Sequence, residues 1–270
     1  MRLRMVPVAV LAGLLPVAAA VTSLAGAHAS VDEETLALIT VHRRFPLDLI
    51  GAVIESAGLV ALAVLLIFLW QAIKSRRPDL SVAFKYVAIA GGALGAIGSL
   101  AYQVVIAVVA NHFVTSGQQT YAEAHRLTSS APVLALPILI LFGDLLLAVA
   151  TVVVSLNAMR VGLLPRLMGY LGIFAGILFV FQIGQFGLLI QAGWMCAVAY
   201  LFLGRWPSGF PPAWDTGEVV PWPSNQKVRE QSTRPPRGGR AKPTPAPEPE
   251  VAPAGTTRST SPKRKRKRRN

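Results

Sequence analysis

One cysteine, Cys196, stands in a chain of 270 residues, so no disulfide can close within it. It lies in an apolar run beside Met195 and Ala197. Packing is its ordinary role there, since buried thiols are usually inert; a lipid-modified or redox thiol is the alternative. Charge is scarce as well. Charged residues make up 14% of the chain, against about 25% in ordinary soluble domains. That deficit argues against a water-soluble globular protein. Motifs that carry chemistry are also missing. The chain has no glycine-rich nucleotide loop, no Gly-x-Ser-x-Gly and no zinc-protease helix motif. Nothing therefore argues for an enzyme. An intramembrane enzyme with sparse signatures would have to rely on polar groups such as His42 and His112. Metal-binding residue types do occur: His42, His112, His125, Glu33, Glu34 and Glu123. They show neither a His-x-x-x-His nor a cysteine pair at ligand spacing, so no metal and no cofactor is expected. No internal repeat is visible, which leaves an inverted-repeat transporter unsupported.

Long apolar runs are what the chain does have. Six of them cover residues 6–27, 49–73, 86–110, 133–156, 167–183 and 186–203. Each is about long enough to cross a bilayer core of roughly 30 Å as a helix. No water reaches the backbone at that depth, so a helical bundle is the natural solution. The expected fold is all-α: a polytopic transmembrane bundle of about six helices, followed by a disordered C-terminal tail.

The first run, within residues 1–29, has two readings. Arg2 and Arg4 precede it, and Ala27-His28-Ala29 before Ser30 has the form of a cleavage site. Those are the marks of a secretory signal. The run is nevertheless about 22 residues, longer than a usual signal core, and Pro16 lies inside it. An uncleaved first helix and a cleaved signal both stay open. The bundle proper occupies 30–205. Residues 167–203 read as two short spans joined by a tight turn at Gly184-Gln185. One long tilted helix would put the tail outside, against its charge.

Loop charge orients the bundle. Lys74, Arg76, Arg77 and Lys85 flank the second connection, Arg160 and Arg166 the fourth, and Arg205 opens the tail. The segments 28–48 and 111–130 balance or lack cations. The positive-inside rule then puts the former group and the C-terminus in the cytoplasm. In the outer segment 28–48, His42-Arg43-Arg44 with Pro46 and Asp48 offers a place for a lipid phosphate.

Small residues mark packing. Gly91, Gly95 and Ser99 form one stripe of the third run, and Ala88, Gly92 and Ala96 another; Gly172 and Gly176 repeat the pattern in the fifth. Lipid offers no hydrophobic drive between helices, so close backbone approach must hold them. The third run is expected to be the central helix.

Two carboxylates lie within the spans, Glu55 and Asp144. An ionisable group costs about 2.5–3.5 kcal/mol near the centre of a bilayer by insertion scales. Both helices are expected to run outside to inside, so the two acids can face one cavity. Tyr102, Gln103, Gln182, Gln185 and Gln191 are candidate hydrogen-bond partners. One reading is a proton- or cation-linked site, as in a small transporter or proton-coupled permease. The other is two protonated acids bonded to neighbouring helices.

After Arg205 the composition changes. Residues 206–270 begin with Trp206, Trp214 and Trp222 among Pro and Gly, which suits the membrane–water boundary. Beyond Ser224 the chain is too poor in apolar residues to offset its ordering entropy. From Arg205 onward there are 15 Lys/Arg against 5 Asp/Glu, which supplies +10 of the formal +13. The run Lys263, Arg264, Lys265, Arg266, Lys267, Arg268, Arg269 is unbroken. Behind a helical bundle, attraction to anionic lipid is its best physical account, at about 1 kcal/mol per cation near the surface. An acidic partner protein or nucleic acid also matches its charge, and a solvated topology signal requires no partner at all.

The stretch Gly162-Leu-Leu-Pro-Arg-Leu-Met-Gly-Tyr-Leu-Gly172 is a short Pro-Arg loop leading into a glycine-rich helix after four spans. In this the chain resembles uncharacterised multi-spanning integral membrane proteins of high-GC bacteria, over about residues 1–205. The resemblance implies an all-helical fold in the bacterial cell membrane and no assigned reaction.

Overall fold

A computed structural model of the chain describes residues 2–24, 34–181, 184–207, 209 and 211–220. Every regular element among them is helical. A short 3-10 turn at Arg2–Met5 leads into α1 (Val6–Leu24), followed by α2 (Glu34–Arg44), α3 (Leu47–Lys74) and α4 (Ala83–Thr115). Then come α5 (Tyr121–Thr128), α6 (Ala131–Val161), α7 (Arg166–Val180), α8 (Gly184–Phe202) and α9 (Ala213–Thr216). Four helices are long and apolar enough to cross a membrane: Arg2–Thr22, Leu47–Lys74, Ala83–Thr115 and Ala131–Val161. Arg166–Val180 and Phe186–Phe202 are apolar but shorter. Gly184 and Gln185 belong to α8, so the expected turn at these two residues is displaced towards Phe181.

The six apolar helices pack in a closed sequence of neighbours. α1 touches α3, α3 touches α4, α4 touches α6, α6 touches α7, α7 touches α8, and α8 returns to α1. α3 also touches α6 across the ring. Large apolar side chains cover the outer faces of this ring, among them Ile97, Val108, Phe142 and Phe186, all more than half exposed. The inner cluster joins Leu62, Leu65, Leu66 and Leu69 of α3 to Leu147 and Val154 of α6 and Trp194 and Val198 of α8. Among the four long apolar helices, α3 and not α4 is the most enclosed. Half of its most apolar stretch is buried, against 28% for α4. The many glycines of α4 give close approach to two neighbours rather than a central position.

Those approaches are backbone to backbone. A Cβ placed on Gly143 of α6 would lie 2.5 Å from the Gly95 amide nitrogen of α4, and one on Gly91 would lie 2.8 Å from the Leu147 nitrogen. On the other face of α4, a Cβ on Gly92 would meet the Ala63 methyl of α3 at 2.6 Å. Gly176 brings α7 to within a methyl of Ala148 and Val152 on α6. In α1 the ring of Pro16 sits against Gly58 of α3, where an added Cβ would be 2.8 Å away.

α4 runs for 33 residues, about 50 Å at 1.5 Å per residue, and so outruns the bilayer core. Its far end carries a second cluster in which Phe113, Ile106 and Ala110 meet Leu38 of α2, Ala124 of α5 and Val133 of α6. Thr120 caps α5 by accepting from the Glu123 amide at 3.4 Å, while the Glu123 carboxylate accepts from the Gln119 amide at 3.1 Å. Glu34 links the two short helices, accepting from Thr128 Oγ1 at 3.1 Å and lying 3.2 Å from His125 Nδ1.

Candidate functional site

Two regions stand out, one inside the ring and one at the end where the basic residues gather. A partly open cavity of about 370 Å³ lies between α1, α3, α6, α7 and α8. Glu55 and Asp144 both line it, together with Gln191. Glu55 is the ninth residue of α3 and Asp144 the fourteenth of α6. At 1.5 Å per residue they stand about 12 and 20 Å along their helices. The helix α3 places Glu55, Gly58, Leu59 and Leu62 on one face by its 3.6-residue period, and that face is the cavity wall.

A second cavity of about 510 Å³ adjoins the first and shares Pro16, Glu55 and Leu188 with it. Its polar lining comes from Arg44, Asp48, Ser99, Tyr102 and Gln103. Arg44 makes an ion pair with Asp48 at 2.8 Å and donates to the Thr22 carbonyl at 2.9 Å. These bonds hold Arg44 against α1 and Asp48 of α3. The structure thus brings Glu55 together with Asp144 in one cavity and with Gln103 in the other. Gln182 and the side chain of Gln185 lie outside the described residues. The hydrogen bond Glu55 does make comes from Ser99 Oγ at 3.2 Å, a residue notable in sequence only for its place in a small-residue stripe.

The opposite end is built by loops. Lys74 donates to the carbonyls of Pro78 and Leu80 and closes the turn after α3. Arg77 donates to the Asn157 amide oxygen at 3.2 Å, tying that turn to α6. Arg76 reaches the 206–220 segment: Nε donates to the Ala213 carbonyl at 3.0 Å, and the guanidinium lies 5.6 Å from the Trp214 ring centroid. Burial pushes the Arg76 pKa below its usual value. Trp214 stacks on Phe68 at 6.0 Å, meets Phe202 edge-on at 5.6 Å, and donates to the Leu163 carbonyl at 3.0 Å. Asp215 lies 3.6 Å from Arg2.

The expected tail boundary at residue 206 therefore moves. Residues 211–220 and Trp206 belong to the bundle, and the compact unit extends to Pro223. Two indole anchors and one guanidinium hold a segment whose Pro and Gly content reads as loop. Trp222, Lys263, Arg264, Lys265, Arg266, Lys267, Arg268 and Arg269 lie outside the described residues, as does Ala27-His28-Ala29. Among the described residues, no three of His, Cys, Asp and Glu come together at metal-binding spacing.

Comparison with known protein families, with curated proteins and with solved structures returns no match.

Proposed function

We propose that the chain is a six-span, non-enzymatic protein of the cell membrane whose basic C-terminal run engages anionic lipid or an acidic partner at the cytoplasmic face. The observation that carries this reading is the gathering of basic groups at one end. Arg2 and Arg76 contact α9, Trp214 of α9 donates to Leu163, and Lys74 and Arg77 share the turn after α3 with Arg76; from α9 the chain continues towards Lys263–Arg269. Cations favour the cytoplasmic side of a bilayer, and the α2–α5 end, which pairs its charges, takes the outer side. Ring closure through the two shorter apolar helices supports six spans over four. The packing of α1 against α3 and α8, with Ala9 and Ala12 buried, supports a retained first helix over a cleaved signal.

In this arrangement the bundle is the anchor and the tail the working part. Each Lys or Arg near an anionic surface contributes about 1 kcal/mol, and that attraction weakens with salt over a screening length of about 8 Å at physiological ionic strength. The test compares the full chain with one stopped after Ser224, both purified from native membranes, by co-purified lipid and by cross-linking. Anionic lipid or an acidic protein lost on truncation is the expected result. An unchanged set of lipids and cross-linked partners overturns the proposal and makes the tail a topology signal alone.

A further inference from the structure

We propose that the cavity inside the helix ring binds a lipophilic organic cation: a molecule with an apolar body and one ammonium-type charge. The inference rests on the cavity wall and is independent of the tail. Leu59, Leu62, Leu178, Phe179, Leu188 and Met195 supply an apolar lining around a partly open space of about 370 Å³. That volume falls within the range of about 300–1,000 Å³ typical of small-molecule pockets, whose walls are mostly apolar with a few polar groups. The polar groups here are two carboxyls and one neutral amide. Glu55 enters from α3, Asp144 from α6 and Gln191 from α8. Among the described residues that line the cavity there is no Lys, Arg or His.

Backbone dipoles add to the same sign. Pro16 of α1 has no amide hydrogen to give to the Ala12 carbonyl four residues back, and Ala12 lines the cavity. Leu178 and Phe179 occupy the last turn of α7, the end at which the helix dipole is negative. Two carboxyl groups and the carbonyl end of a helix therefore converge on a largely apolar space. An anion would meet two carboxyl groups there and no cationic side chain among the described lining residues. A bare divalent metal ion favours about six or more oxygen ligands, which this wall of leucines does not offer. An ammonium carried on an apolar body satisfies both parts of the wall, because a cation between carboxylates gains more in a low-dielectric setting than in water.

A route to the site is also present. The 510 Å³ cavity meets it at Glu55 and Leu188 and extends to Arg44 and Asp48. The charge of Arg44 is matched by Asp48, so no uncompensated cation stands on this path.

The test uses the full chain in lipid nanodiscs and equilibrium dialysis with tetraphenylphosphonium and benzyltrimethylammonium. Tetraphenylborate, of the same shape as the phosphonium and opposite charge, measures plain partitioning. One saturable site per chain is expected for at least one of the cations and none for the borate. Asp144→Asn and Glu55→Gln should each weaken binding at least tenfold. Asp144→Glu should keep it within a few-fold, and Glu123→Gln, on α5 and outside the cavity lining, should leave it unchanged. Leu188→Trp fills the junction of the two cavities without altering charge and should abolish binding, which separates the site from any folding defect of the carboxylate variants. Absence of saturable binding of both cations, equal uptake of the borate, or parental binding in Leu188→Trp and both carboxylate variants would overturn the proposal.

Discussion

Replacing Gly143 by alanine adds one methyl at the tightest point of the α4–α6 contact. The new Cβ would sit 2.5 Å from the Gly95 nitrogen, 2.9 Å from the Gly95 Cα and 3.1 Å from the Gly91 carbonyl oxygen. Ordinary contact begins at 3.4 Å. All three neighbours are backbone atoms of a helix, so none can rotate away. The helices must separate by about 1 Å, enough to forfeit a quarter to a half of each dispersion contact along the seam. Overpacking of this kind costs about 1–3 kcal/mol. Alanine is also a better helix former than glycine by about 1 kcal/mol, which acts in the opposite direction. Gly193 of α8 isolates that second effect, because a Cβ there meets nothing within 4 Å. Gly193→Ala should therefore be neutral or slightly stabilising, and Gly143→Ala should lie about 1–3 kcal/mol below it, since the propensity gain is common to both and cancels. The assay is thermal unfolding of the two variants and the parent in one detergent. At roughly 2–4 °C per kcal/mol for chains of about this size, the two variants should differ by several degrees. Equal melting temperatures for Gly143→Ala and Gly193→Ala would refute the backbone contact and with it the α4–α6 seam.

Two further outcomes follow from the inner end and from α1. Arg76→Ala removes the donors to Ala213 and the cation beside Trp214, worth about 1–3 kcal/mol locally. Hydrogen exchange should quicken across residues 211–216 and stay unchanged in α6; unchanged protection of 211–216 would show that Arg76 does not hold the segment. Arg76→Lys should rescue only in part, since an ammonium lacks the planar fork. The intact mass of protein from native membranes should include residues 1–29, because Ala9 and Ala12 are buried at 0% and 1% exposure against the other helices; a chain beginning at Ser30 would contradict this.

The positions of the long helices were legible because hydrophobic length is a one-dimensional signal. The run 49–73 becomes Leu47–Lys74 and the run 133–156 becomes Ala131–Val161. Each helix outlasts its run because polar residues such as Lys74 and Asn157 continue the backbone ladder and bond locally, Lys74 to its own turn and Asn157 to the Val153 carbonyl. α5 left a trace, Thr120-x-x-Glu123, that reads as a cap only once a helix is suspected. The docking of α9 left none, since Pro211, Pro212 and Gly217 resemble linker and the anchoring contacts come from Phe68, Arg76 and Leu163, far away in sequence. For the cavity, Glu55 and Asp144 were conspicuous as the only carboxylates within the apolar runs. Ser99 as the donor to Glu55, and Pro16 as part of the cavity wall, depend on which helices are neighbours, and apolar periodicity does not encode that order.

The measurement that bears most directly on the central claim is labelling by a membrane-impermeant maleimide in intact cells. Cys196→Ser removes the native thiol, and single cysteines are then introduced as Ser116→Cys beyond α4, Ser75→Cys after α3 and Ser232→Cys in the basic tail. Ser116 and Ser75 are exposed in the fold. The account predicts that the Ser116→Cys protein labels in intact cells, and that the other two label only after lysis. Labelling of the Ser75→Cys or Ser232→Cys protein in intact cells, with the Ser116→Cys protein protected, would contradict both the orientation and the cytoplasmic role of the tail.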